Sequence, residues 1–176
     1  EPVLPNDTTA SLEARLASLG ADLLIETIPG FLSGTILPQP QDDRLATYCR
    51  PIRKEDGLID WHQSADAIER LVRAMIPWPV AYALWEGKQL RILRARIRPP
   101  TDLFGAHHPN ASSPQEGEPD PATNATPGTV VRLGRDAAVV TGNGLLILDE
   151  VQIEGKNPIP ARSFVNGYRT FVGSLL

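Results

Sequence analysis

The stretch KEDGLIDW, Lys54 to Trp61, sets three carboxylates beside a lysine and a tryptophan around one glycine. Two carboxylates converging on one substrate atom could do general acid–base work. Glu55 and Asp56 are adjacent in the chain, so their side chains diverge. Asp60 stands just before a helical pattern, where a carboxylate accepts backbone N–H groups or pairs with an arginine. The spacing therefore favours a turn and a cap over an acid–base pair. His62 could serve as a general base, but a polar residue at a helix start is more often a cap. His107 and His108 fall in a proline-rich stretch with no partners in place for catalysis or metal binding. Cys49 has no histidine near it in sequence, and a small buried residue is the expectation there. One cysteine excludes a disulfide framework and a cysteine-based zinc site. No glycine-rich phosphate loop, HExxH or nucleophile elbow is present.

Cationic residues are the stronger signal. Residues 44–98 carry eleven Lys/Arg against six Asp/Glu, a net +5 hidden inside an overall charge of -4. In LRILRARIR, strict alternation puts Arg94, Arg96 and Arg98 on one strand face. Such a row suits phosphate contact, because a guanidinium fork matches phosphate oxygens. It equally suits a charged edge strand that resists aggregation.

The elements that must carry these residues read as follows. Asp7, Thr8 and Thr9 can cap a helix whose stripe is Leu12, Leu16, Leu19 and Leu23, ending at Pro29–Gly30, with Gly20 either capping it or lying within it. Residues 34–47 read as an extended connector. Ala65, Ile68, Leu71, Val72 and Met75 form a second helical face, capped by Ser64 or His62 and stopped by Pro77. AYALWEGKQLRILRARI reads as a hairpin turning at Glu86–Gly87–Lys88. Residues 99–126 hold four acids and no lysine or arginine, and read as a mobile proline-rich linker. Beyond Pro127 about five short strands are expected, the last being a strand or turn near ARSFVNGYR, with Gly142–Asn143–Gly144 as a hairpin turn. The division is thus an α/β piece over 1–98, a linker over 99–126 and a β-domain over 127–176.

With 176 residues, 41% hydrophobic and 22% charged, the composition is that of an ordinary globular protein. No apolar run is long enough to span a membrane, and no signal peptide is visible. The chain opens on Glu1 rather than Met, and a fragment is expected.

TYCRPIRKEDGLIDWHQSADAIERLVRAMIPWP, with GKQLRI, PGTVV, VVTGNGLLIL and VQIEGKNPIPARSFVNG, closely resembles the methionyl-tRNA formyltransferase family. The resemblance reaches nearly the whole chain except the linker. It implies an α+β fold: a helical and hairpin tail of a Rossmann-like formyltransferase domain, then a small OB-like β-barrel. It implies transfer of a formyl group from 10-formyltetrahydrofolate, the substrate, to methionyl initiator tRNA. The family's catalytic Asn, His and Asp lie in motifs upstream of this chain. The chain is therefore expected to be inactive alone, to hold no cofactor or metal, and to work with an N-terminal catalytic domain. Lys54 matches the lysine of the family's KEDG block, and Lys156 the first lysine of its GKK block. Asn157 replaces the second, Ile76 the asparagine of NPWP, and Val80 the glycine after it. The expected tRNA-binding set is Arg53, Lys54, Arg91, Arg94, Arg96, Arg98, Lys156 and Arg162. A monomer in the bacterial cytoplasm or an organellar matrix is implied. Another folate-dependent formyltransferase, a formyltetrahydrofolate hydrolase or a stand-alone nucleic-acid-binding module is the alternative.

Overall fold

The computed structural model describes residues 1–98 and 125–176. Nearly all of the proline-rich 99–126 segment, with His107 and His108, lies outside the described residues. The described chain divides into two compact units, Glu1–Arg53 and Lys54–Leu176.

The first unit is dominated by helix α1, Thr9–Leu32. Thr8 caps it: its hydroxyl accepts from the Ser11 N–H while the Ser11 hydroxyl accepts from the Thr8 N–H. Asp7 adds a second lock, taking both terminal nitrogens of Arg15 at 2.5 and 2.8 Å. Gly20 lies inside the helix, which also runs through Pro29 to Leu32, one turn beyond the expected stop. The proline costs the bond its missing N–H would make, and Ser33 N–H closes the end onto the Pro29 carbonyl at 3.0 Å. No residue of α1 is buried.

The second unit is an antiparallel sheet with two helices. Strands β1 (Tyr82–Trp85), β2 (Lys88–Ile97), β3 (Val130–Leu133), β4 (Asp136–Val140) and β5 (Leu145–Ile153) run in the order β1-β2-β5-β4-β3. A short β6, Ile159–Pro160, pairs with β5 beyond the end of β4. β1 and β2 join through Glu86 and Gly87, both at positive φ (48° and 73°), as a two-residue hairpin requires. The expected division at residue 98 is corrected by this sheet. The longest pairing in it is β2 with β5, from Leu90↔Ile153 to Ile97↔Leu146, so the hairpin and the downstream strands form one body.

Helix α2, Ala65–Ala74, follows its apolar spacing, with the Ser64 hydroxyl accepting from the Ala67 N–H at 3.2 Å. Helix α3, Ala161–Gly167, replaces the strand or turn expected there. Ala161, Phe164 and Val165 recur at helical spacing and are buried, and this burial decides for the helix. The main core gathers Ile68 and Val72 of α2, Leu90, Ile92, Leu148 and Val151 of the sheet, and a ring cluster of Trp85, Phe164 and Phe171. A smaller cluster, Ala138, Val140, Leu145 and Ile147, occupies the other sheet face.

One irregularity decides where the arginines point. Register shifts fall between Ile92 and Arg94 and between Arg94 and Ala95. Leu90 and Ile92 face the main core before the shift, and Ala95 faces it afterwards. Without that change of parity, Arg94 and Arg96 would follow Leu90 and Ile92 into the core. Both arginines are exposed instead.

Candidate functional site

KEDGLIDW forms a turn fastened to the sheet, and its carboxylates do not converge as an acid–base pair. Lys54–Gly57 form a 3-10 turn, and the Ile59 N–H donates to the Tyr82 carbonyl at 2.9 Å, tying the segment to β1. Asp60 accepts from the His62 N–H at 3.0 Å, lies 3.1 Å from His62 Nδ1 and accepts from Gln63 Nε2 at 3.2 Å. These bonds, the His62 N–H foremost, hold the Asp60 carboxyl below its usual range. The imidazole of His62 is mostly exposed. Cys49 is exposed rather than buried, in a stretch of the first unit without regular secondary structure.

The cationic residues do converge in part. Along β5, the β4 pairing stops at Leu148 and the β6 pairing starts at Glu150, leaving a step at Asp149. A concavity of about 400 Å³ opens there, lined by Arg94, Asp136, Leu148, Asp149, Pro160 and Arg162. Asp136 is its hub. Its carboxylate takes Arg162 Nε at 2.5 Å and Arg96 Nη2 at 2.7 Å. Arg96 also bonds Asp149 through its other terminal nitrogen. Arg94 reaches Glu150 only at 3.9 Å, and its side chain is 70% exposed. The network thus commits Arg96 to two carboxylates and leaves Arg94 turned to solvent.

The Arg162 hydrogen bond, chiefly, holds the Asp136 carboxyl below its usual range, and burial opposes it. Arg162 is raised in turn by the same bond. The sign for stability follows. A carboxylate whose pKa is depressed on folding contributes fully above its unfolded value, near pH 4. That contribution is lost as pH falls through the folded value. Asp136→Asn should therefore lose stability at neutral pH and show a shallower loss on acidification than the parent. Urea midpoints taken from pH 7 to pH 3 measure both, and parallel curves would remove Asp136 from the acid transition.

Of the other expected residues, Arg91 lies on β2 with Nη1 3.4 Å from Gln152 Oε1. Arg98 follows the end of β2, half-buried, its N–H on the Leu145 carbonyl. Lys156 is exposed in the turn between β5 and β6, and its carbonyl accepts from Gln152 Nε2 at 2.8 Å. Lys54 is exposed at the start of the second unit, and Arg53 is exposed at the end of the first. Within the second unit the structure brings Arg94, Arg96 and Arg162 together, and Lys54, Arg91, Arg98 and Lys156 are not among the residues of that network. Asp136 and Asp149 were not foreseen. The signal for Asp149 was an acid pair breaking the apolar run LLILDEV, on a strand that must pair with something basic.

No described helix is long and apolar enough to cross a membrane, and the described residues hold no cluster of potential metal ligands. Fold and face together define a small antiparallel β module that presents arginines braced by carboxylates. The model of the formyl transferase C-terminal domain matches residues 51–169, and the chain belongs to that family. It is 39% identical over 99% of its length to the methionyl-tRNA formyltransferase of Roseiflexus castenholzii, covering 50% of that protein. It is 42% identical over 94% of its length to that of Solibacter usitatus, covering 46% of it. The chain thus spans about half the length of the curated relatives it matches. Among solved structures, a variant of HypX from Aquifex aeolicus superposes with a TM-score of 0.60 at 18% identity, over 96% of this chain and 28% of that one. This last likeness concerns the fold alone.

Proposed function

We propose that the chain is the C-terminal portion of a methionyl-tRNA formyltransferase and holds initiator methionyl-tRNA for formylation. The observation that carries this reading is identity of 39% along 99% of the chain to an enzyme of that name. In this reading the formyl group comes from 10-formyltetrahydrofolate, and catalytic residues upstream perform the transfer in the cytoplasm. Residues 54–176 serve as an OB-like domain, and residues 1–53 as the tail of a Rossmann-like catalytic domain. Arg94 and Arg162 meet tRNA phosphates directly, while Arg96 braces the acids between them. Lys54, Arg53, Arg91, Arg98 and Lys156 extend the contact.

A salt titration of initiator-tRNA binding tests the reading. Phosphate neutralisation releases counterions, so affinity should fall steeply and linearly on a log–log plot. Arg94→Ala should make that slope shallower by about 0.7–0.9, one phosphate's share. Arg96→Ala should change it less, because Arg96 already serves Asp136 and Asp149. A parent slope near zero would sink the tRNA reading. An unchanged slope in Arg94→Ala would remove this face from the contact.

A further inference from the structure

A groove meant only for phosphate has no use for two carboxylates in its wall, since ionised carboxylates repel the ligand they flank. The concavity at Arg94 and Arg162 nevertheless contains Asp136 and Asp149. Asp136 is occupied by Arg96 and Arg162. Asp149 bonds Arg96, and its side chain remains 22% exposed at the cavity. An ionised carboxylate offers roughly four lone-pair sites and can only accept. Asp149 therefore keeps acceptor capacity that a hydroxyl donor could fill. Guanidinium groups, a carboxylate acceptor and the exposed Pro160 ring stand in one concavity. Free phosphate would face the acids unfavourably. A neutral sugar would leave Arg94 without an anion. A ribose phosphate answers both groups at once.

Resting on the tRNA reading, we infer that this concavity seats one ribonucleotide of an RNA chain, with its phosphate on Arg94 and Arg162 and its 2′-hydroxyl donating to Asp149. The site then distinguishes RNA from DNA, because only RNA carries the 2′-hydroxyl. Its volume of about 400 Å³ falls within the range of small-ligand sites. Arg96 acts as a positioning residue. By bonding both Asp136 and Asp149 it fixes the distance between the phosphate and hydroxyl subsites.

The test uses the full chain and two unstructured 12-mers of A and C, one RNA and one DNA, compared by fluorescence anisotropy at low salt. RNA should bind about tenfold tighter, the worth of one hydrogen bond to a charged group. Asp149→Ala should abolish this preference while raising affinity for the DNA strand, since it removes a negative charge and releases Arg96. Asp149→Asn, which keeps the shape and one acceptor oxygen, should retain part of the preference and guards against a folding defect. Arg94→Ala should weaken both strands about equally. A parent ratio near one overturns the inference. So does a tenfold ratio that survives in Asp149→Ala, because Asp149 would then serve Arg96 alone. A steep tRNA salt slope with no RNA preference defeats only this inference, whereas no salt-dependent tRNA binding defeats the reading beneath it.

Discussion

Phe164→Ala is expected to lower the unfolding free energy of the second unit by about 3–5 kcal/mol, the cost of a large ring removed from a packed core. Phe164 is fully buried, at 0% exposure. Its ring lies 5.5 Å from Trp85, 4.4 Å from Tyr168 and 4.9 Å from Phe171, centroid to centroid. Trp85 belongs to β1 at one edge of the sheet, whereas Phe164 belongs to α3. The cluster is therefore what fastens α3 to the hairpin, joining two rings 79 positions apart in the chain. The T-shaped pairs add about 0.5–1.5 kcal/mol each beyond area burial. Phe171→Ala should be comparably damaging, and the double variant should cost less than the two single losses combined, because the rings share partners. Urea unfolding followed by circular dichroism measures all three. A loss under about 1 kcal/mol for Phe164→Ala would mean that α3 does not depend on this contact. The consequence reaches the candidate site, since Arg162 sits on α3 and meets Asp136 only while that helix is docked.

The parts of this arrangement that could be read in the sequence are those governed by local rules. Ala65, Ile68 and Val72 lie at helical spacing ahead of Pro77, and α2 forms there. Glu86–Gly87 permits positive φ, and the hairpin turns there. The KEDGLIDW and GNGLLIL blocks carry a family resemblance, and the family holds. What could not be read depends on partners far along the chain. Placing β2 beside β5 requires two segments separated by the whole 99–126 stretch to pair, so composition there suggested a boundary where the fold has none. The change of parity around Arg94 has a trace, since apolar residues fall at 90 and 92 and then at 93, 95 and 97. The arginine alternation overrode that trace, although it predicts the same exposed face by a different route. Helix α3 is short, and its seven residues look like a turn until Phe164 has an aromatic cluster to enter. In the sequence alone the arginine row looks free, because its acid partners lie more than 35 residues further along the chain. Only the register of β2 on β5 and the course of β4 show that Arg96 already has two carboxylates.

Gly142→Ala should destabilise the second unit by about 3 kcal/mol, and more than Gly144→Ala, although Gly144 is the one at positive φ. The reason lies in what each glycine touches. An added Cβ at Gly142 would clash with the His62 carbonyl oxygen and stand 2.6 Å from its carbonyl carbon. These are backbone atoms and cannot swing aside. The Gly142 N–H bonds the Trp61 and Gln63 carbonyls at 2.8 and 2.9 Å, and the Ala65 N–H bonds the Asn143 carbonyl at 3.0 Å. The β4–β5 turn is thus clamped against the chain between KEDGLIDW and α2. Relief of the clash must break that clamp and unseat Trp61, which is 5% exposed in the main core. At Gly144 an added Cβ would meet only Ala65 Cβ, at 3.6 Å, an ordinary contact. Its cost is the left-handed backbone, φ 91°, worth about 1–2 kcal/mol for a residue with a side chain. Thermal or urea midpoints of the two variants rank the two effects. The order Gly142 above Gly144 requires the turn and the IDW segment to be in backbone contact. The reverse order would mean that the turn and the IDW segment are not held in backbone contact.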